Sequence, residues 1–177
     1  MRLLASSGQT IGFTPSATMT RRRFRLALAA VAALWLALVL VTPHPVNPTV
    51  DPTLGLEAHA TVPATVMQLL RRGCFDCHSE ETRWPWYARA FPASWLMSHD
   101  VSEGRGQMNF SRWGDYNAYD RADMLDEACE QVKRDKMPLW QYRLLHPEAT
   151  LSDADVSALC AWTRAEADRL VREGGVE

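Results

Sequence analysis

The longest apolar stretch of the chain runs from Leu26 to Val41, "LALAAVAALWLALVLV", without a polar break. Its sixteen residues make a helix about 24 Å long, a little short of a hydrocarbon core unless Phe24 and a snorkelling Arg25 extend it. Beyond it the pattern becomes intermittent. Residues 43–60 hold several prolines and little periodicity, which predicts an extended tether. From Thr61 helical spacing begins. In "TVPATVMQLLRRG", Thr61 is the expected N-cap, Pro63 falls in the first turn, Val66, Leu69 and Leu70 share a face, and Gly73 is a natural stop. A second helix is predicted over about Asp120 to Lys136, where Leu125, Ala128, Cys129 and Val132 form a stripe and Pro138 ends it. The last helix starts at Ser152, with Asp155 three residues on as its capping partner and a staple from Leu151 to Val156. Val156, Leu159, Thr163, Ala167 and Leu170 continue its apolar side.

Between these helices, Arg83 to Tyr119 shows no sustained period and carries four of the seven tryptophans among Gly, Pro, Asn and Ser. The expectation there is a loop-rich segment with short helical turns, packed around something other than itself. No strand alternation, hairpin or internal repeat is present. The predicted architecture is mostly α, one helical domain with a long loop-rich segment, preceded by one N-terminal transmembrane helix. Its divisions are a basic N-terminal segment (1–25), an anchor or signal (26–42), the tether (43–60) and the domain proper (61–177).

Charge sharpens this picture. Residues 1–50 contain five arginines and no acid, so the remaining 14 of the 19 basic residues face all 21 acidic ones. An acidic body excludes a phosphate backbone as its natural partner and favours a basic one. The arginines before the apolar run, "TRRRFR", keep the N-terminus in the cytoplasm and send the rest across the inner membrane as a single-pass periplasmic domain. They also resemble a twin-arginine signal. The small-residue pattern Ala58-His59-Ala60 lies too far downstream for ordinary cleavage, which favours an uncleaved anchor. Met19 is an alternative start.

Chemistry concentrates in "GCFDCHSEE". Cys74, Cys77 and His78 can hold zinc, a redox disulfide or a haem. A structural zinc site needs a second ligand pair, and Cys129 and Cys160 are single, thirty-one positions apart on two apolar helix faces. They read as core residues or as a disulfide between packed helices. A thioredoxin-like pair needs a strand before the motif and a helix starting at it, whereas here a helix precedes it. Haem attachment uses all three side chains: two thiols reach one edge of the porphyrin and the adjacent imidazole ligates the iron. Such attachment takes place after export, in agreement with the anchor.

For the second axial position the candidate is Met137 in "KMPLWQY", which resembles the Met-Pro of small class I cytochromes c. Its rivals are Met108, His99, His146 and an open site. Arg83 and Arg105 are candidates for the propionates, and Trp84, Trp86, Trp95, Trp113 and Trp140 for walls of the pocket.

The stretches "CFDCHSEETRWPWY", "FPASWLMSHDVSEGR", "MNFSRW", "KMPLWQYRLLHPEATLS" and "LCAW", in this order, resemble the bacterial haem-binding domain family, small exported proteins with one C-x-x-C-H motif. The resemblance runs from about Val66 to Trp162. It implies one covalent haem c on Cys74, Cys77 and His78. The expectation for the whole is a cytochrome c-like helical domain with its loop-rich segment around the haem, serving one-electron transfer with a redox partner protein in or near the membrane, an electron carrier rather than a catalyst. The alternatives are a haem sensor or peroxidase-like enzyme with an open distal site, and a zinc-stapled structural module.

Overall fold

The structure, a computed structural model, describes residues 20–41 and 45–174. The alternative start at Met19 and the first eighteen residues lie outside them. Among the described residues every regular element is helical. The chain divides into two compact units, residues 1–40 and 41–177.

In the first unit, α1 (Arg21–Val41) is 21 residues long and buries none of them. It begins before the purely apolar run, so its length reaches about 31 Å, enough for a bilayer core. Its mean hydropathy of 2.4 over an 18-residue window suits a membrane span or a signal sequence.

The second unit is built on α6 (Ala118–Lys133) and α8 (Asp153–Gly174). They pair antiparallel, with Ala118 beside Gly174 at one end and a Cys129–Cys160 disulfide farther along. Most of the stripe expected on each helix is buried, Leu125, Cys129 and Val132 on α6 and Leu159, Thr163, Ala167 and Leu170 on α8, while Ala128 and Val156 are half-buried at the edges. Asn117 caps α6 by accepting the Asp120 N–H, and Ser152 and Asp155 exchange hydrogen bonds as a capping box at the start of α8. Helix α6 stops at Lys133, well before Pro138, so the proline does not end it. The turn comes at Asp135, whose φ of 54° is a left-handed conformation that aspartate tolerates. The N–H groups of Lys136 and Met137 then bond the Gln131 carbonyl.

Helix α3 (Ala64–Gly73) buries Val66, Leu69 and Leu70 as expected. Its N-cap is Pro63, not Thr61. The Thr61 carbonyl instead accepts the indole N–H of Trp162 and so ties the approach to α3 onto α8. The expected tether is likewise only partly a tether. Short helix α2 (Leu56–His59) puts Leu56 into the core at 2% exposure, and the Leu54 carbonyl accepts the Gly114 N–H. Asn47 bonds Thr82, Trp84 and Arg105. One buried leucine among prolines has no periodicity to reveal it.

The segment 83–119 departs most from expectation. Besides 3-10 turns at Trp86–Arg89 and Phe110–Asp115, it holds the 15-residue α5 (Ala93–Gln107). This helix buries only Ser94, Val101 and Gly104, a contact face of small residues that makes no apolar stripe. It packs on α4 (Phe75–His78), the single turn that carries the cysteine–histidine motif.

Candidate functional site

Helix α3 delivers the chain directly into α4, where the N–H groups of Cys77 and His78 both bond the Cys74 carbonyl. One helical turn therefore sets Cys74, Cys77 and His78 at i, i+3 and i+4 on a common side. Phe75 points the other way into the core, stacked on Phe110 with ring centroids 5.0 Å apart. Ser79 caps the turn: its hydroxyl donates to the Phe75 carbonyl at 2.7 Å and accepts the Glu81 N–H. Gly104 of α5 lies directly against this turn. A Cβ there would stand 2.7 Å from the Cys77 carbonyl oxygen, so only glycine permits the approach.

Cys74, Cys77 and His78 face a cavity of about 610 Å³, within the range of sites that enclose a small organic ligand. Leu70, Val101, Phe110, Leu125, Leu159 and Trp162 supply apolar lining from five elements. Met137 lines it too, as the Met-Pro reading expects, and so does its rival Met108. Met97 and Met124 also line it, and nothing in their local sequence marked them. The Met108 carbonyl lies 3.1 Å from His78 Nδ1, an interaction that orients the imidazole and leaves Nε2 for another partner.

The other expectations for the pocket fare differently. His99 stacks on Trp95, and His146 meets the Tyr87 hydroxyl at 2.6 Å; neither lines the cavity. Trp84, Trp86, Trp95, Trp113 and Trp140 do not line it either, and the tryptophan that does is Trp162, deep in the α8 stripe. Trp86, Trp95 and Trp140 are exposed, whereas Trp113 is fully buried core. Arg83 pairs with Asp76, and Arg105 bonds the Ser79 carbonyl and Thr82, so both brace the motif from outside. Among the described residues no lysine or arginine lines the cavity, while Asp100, Glu103, Asp120, Asp123 and Glu127 do.

Electrostatics at the motif follow from burial. It pushes the Cys74 thiol up to about 12, with the neighbouring Cys77 adding to the effect. Cys77 is also pushed up to about 12, by burial first and then by the charges of Asp100 and Asp76. Both stay protonated at neutral pH, the reverse of the electropositive setting that activates a redox thiol. Burial likewise holds His78 below the ordinary imidazole range, keeping it neutral and able to ligate. Among the described residues no cluster of three or more His, Cys, Asp or Glu has the arrangement of a metal site.

A family model of the haem-binding domain matches residues 33–165, three quarters of the chain. The chain belongs to the haem-binding domain family. No curated protein and no solved structure matches it. The cavity suits the family's ligand in its chemistry: apolar and aromatic walls for a macrocycle, a neutral oriented imidazole, thioethers, and two thiols on the same wall. The residues able to hold a haem are therefore Cys74, Cys77, His78 and one of the lining methionines.

Proposed function

We propose that this protein is a membrane-anchored c-type cytochrome domain carrying one covalent haem and serving one-electron transfer. The observation that carries the reading is the convergence of Cys74, Cys77, His78 and Met137 on a single apolar cavity. Cys74 and Cys77 would hold the haem through thioether bonds, and His78 Nε2 and Met137 Sδ would be the side-chain atoms offered to its iron. A haem held in this way supplies an iron that gains and loses one electron. The chain itself fixes the imidazole through the Met108 carbonyl, presses α5 onto the attachment turn through Gly104, and excludes water with Phe110, Leu125 and Trp162.

Helix α1 anchors the domain with its N-terminus in the cytoplasm and its haem body in the periplasm. The carboxylates along the cavity favour a basic redox partner, so electron exchange with a basic acceptor should slow as salt rises. The open-site alternative has less support, because His99 and His146, the side chains it would use as acid/base, are engaged away from the cavity.

The test is an absorption spectrum of the full chain exported in a host that matures cytochrome c, with denaturing gels stained for haem. Haem that survives denaturation, together with the long-wavelength methionine-to-iron band, supports the carrier. That band should vanish, and carbon monoxide should bind ferrous iron, in Met137→Ala. Attached high-spin haem would turn the reading to the sensor or peroxidase-like enzyme, and stoichiometric zinc without haem would overturn it.

A further inference from the structure

We propose that Tyr142 is a positioning residue which, through the carboxylate of Asp76, ties the Met137 loop to the turn bearing Cys74, Cys77 and His78. The inference rests on the reading of Met137 as the distal ligand. Asp76 sits between the two cysteines and is 6% exposed. A carboxylate so buried needs partners, and it has four interactions: the Arg83 backbone N–H, Arg83 Nε and Nη2, and the Tyr142 hydroxyl at 2.7 Å. The Arg83 side chain is 68% exposed, so water competes for its ion pair. The tyrosine bond is shorter and better shielded, a charge-assisted O–H donor to a carboxylate. Burial and the Asp76 charge both hold Tyr142 in its neutral, donating form.

What this bond restrains is the piece of chain that presents Met137. Helix α7 (Trp140–Leu145) buries none of its residues completely, so apolar packing does little to fix it. Arg143 spans back to both carboxylate oxygens of Asp135, at 2.6 and 3.1 Å, which makes the Met137 loop and α7 one braced unit. Tyr142 lines the cavity, and its hydroxyl reaches Asp76. His146 stacks on that ring, centroids 4.2 Å apart, and meets Tyr87 on its other side. At the opposite end Pro138 lies against Gly73, the residue before Cys74. The distal loop is thus held to the attachment turn by a polar bond at one point and a glycine contact at the other.

The experiment compares the wild-type full chain, as purified in detergent, with Tyr142→Phe and Asp76→Asn. Amide hydrogen exchange is read over residues 137–146, and carbon monoxide binding to reduced protein is read in parallel. Both variants should exchange that segment about tenfold faster or more, the effect of losing a buried hydrogen bond to a charge, with α8 unchanged. Both should also weaken the methionine-to-iron band and admit carbon monoxide, with Met137→Ala as the reference for complete loss. Wild-type exchange and wild-type carbon monoxide behaviour in Tyr142→Phe would overturn the clamp. If Met137→Ala leaves the band intact, the distal-ligand reading fails, and the exchange data alone decide whether Tyr142 holds the loop.

Discussion

Two walls of the same cavity are built on different principles. One is the α6–α8 pair, packed together through apolar stripes and closed by the Cys129–Cys160 disulfide, with Asp120, Asp123 and Glu127 of α6 also reaching the cavity. The other is α4 with α5 and the loop into α7, where small residues and polar bonds replace apolar packing. Covalent and hydrophobic restraint does not depend on what fills the cavity. A wall held by a glycine contact, a capped single turn and a tyrosine–carboxylate bond yields more easily, and it is this wall that presents the cysteines, the histidine and the methionine. The difference suggests a division of labour in which α6–α8 supplies stability and the α4 side supplies chemistry.

The largest effect that separates the walls is on attachment. Cys74→Ala with Cys77→Ala should abolish haem staining on denaturing gels outright, while a Cys129→Ala, Cys160→Ala protein should keep the stain and its absorption spectrum. The second pair should instead lower stability by about 4 kcal/mol, as expected for a loop of this length, measured by urea unfolding. A change of spectrum there would break the comparison. Next in size, Gly104→Ala forces α5 off the Cys77 carbonyl and should cost about 1–3 kcal/mol, with the visible spectrum moving as well because the attachment turn moves.

The smallest effect is Ser152→Ala, which removes one arm of the α8 capping box for about 1 kcal/mol and no spectral change. Its partner adds a pH signature. Hydrogen bonds from Ser152 hold the Asp155 carboxyl below the ordinary carboxylate range. Its contribution is therefore complete at neutral pH and fades as the pH falls below about 4. Thermal melts of wild type and Ser152→Ala should converge on acidification.

The stiff wall was legible in the sequence because its physics is local and periodic. The stripes on α6 and α8 and the capping box at Ser152 follow from helical spacing, which put Cys129 and Cys160 on apolar faces but left open whether they bond; the structure joins them. The chemical wall was legible only at its motif. Helix α5 escaped because its contact face is Ser94, Val101 and Gly104, residues that carry no amphipathic signal. The tryptophans misled in the opposite sense. Their density between Arg83 and Tyr119 pointed to the pocket, yet the one that lines it is Trp162 in α8, outside that segment.

The sequence by itself determined the helical class, the apolar N-terminal helix and the compact Cys74–Cys77–His78 turn, since each depends on residues within a few positions of one another. The packing of the helices set which methionines line the cavity with the histidine, that the Met108 carbonyl meets the imidazole, and that Asp76 and Tyr142, sixty-six positions apart, close on each other. Those are contacts between elements, set by how the packed helices meet, and local spacing carries no record of them.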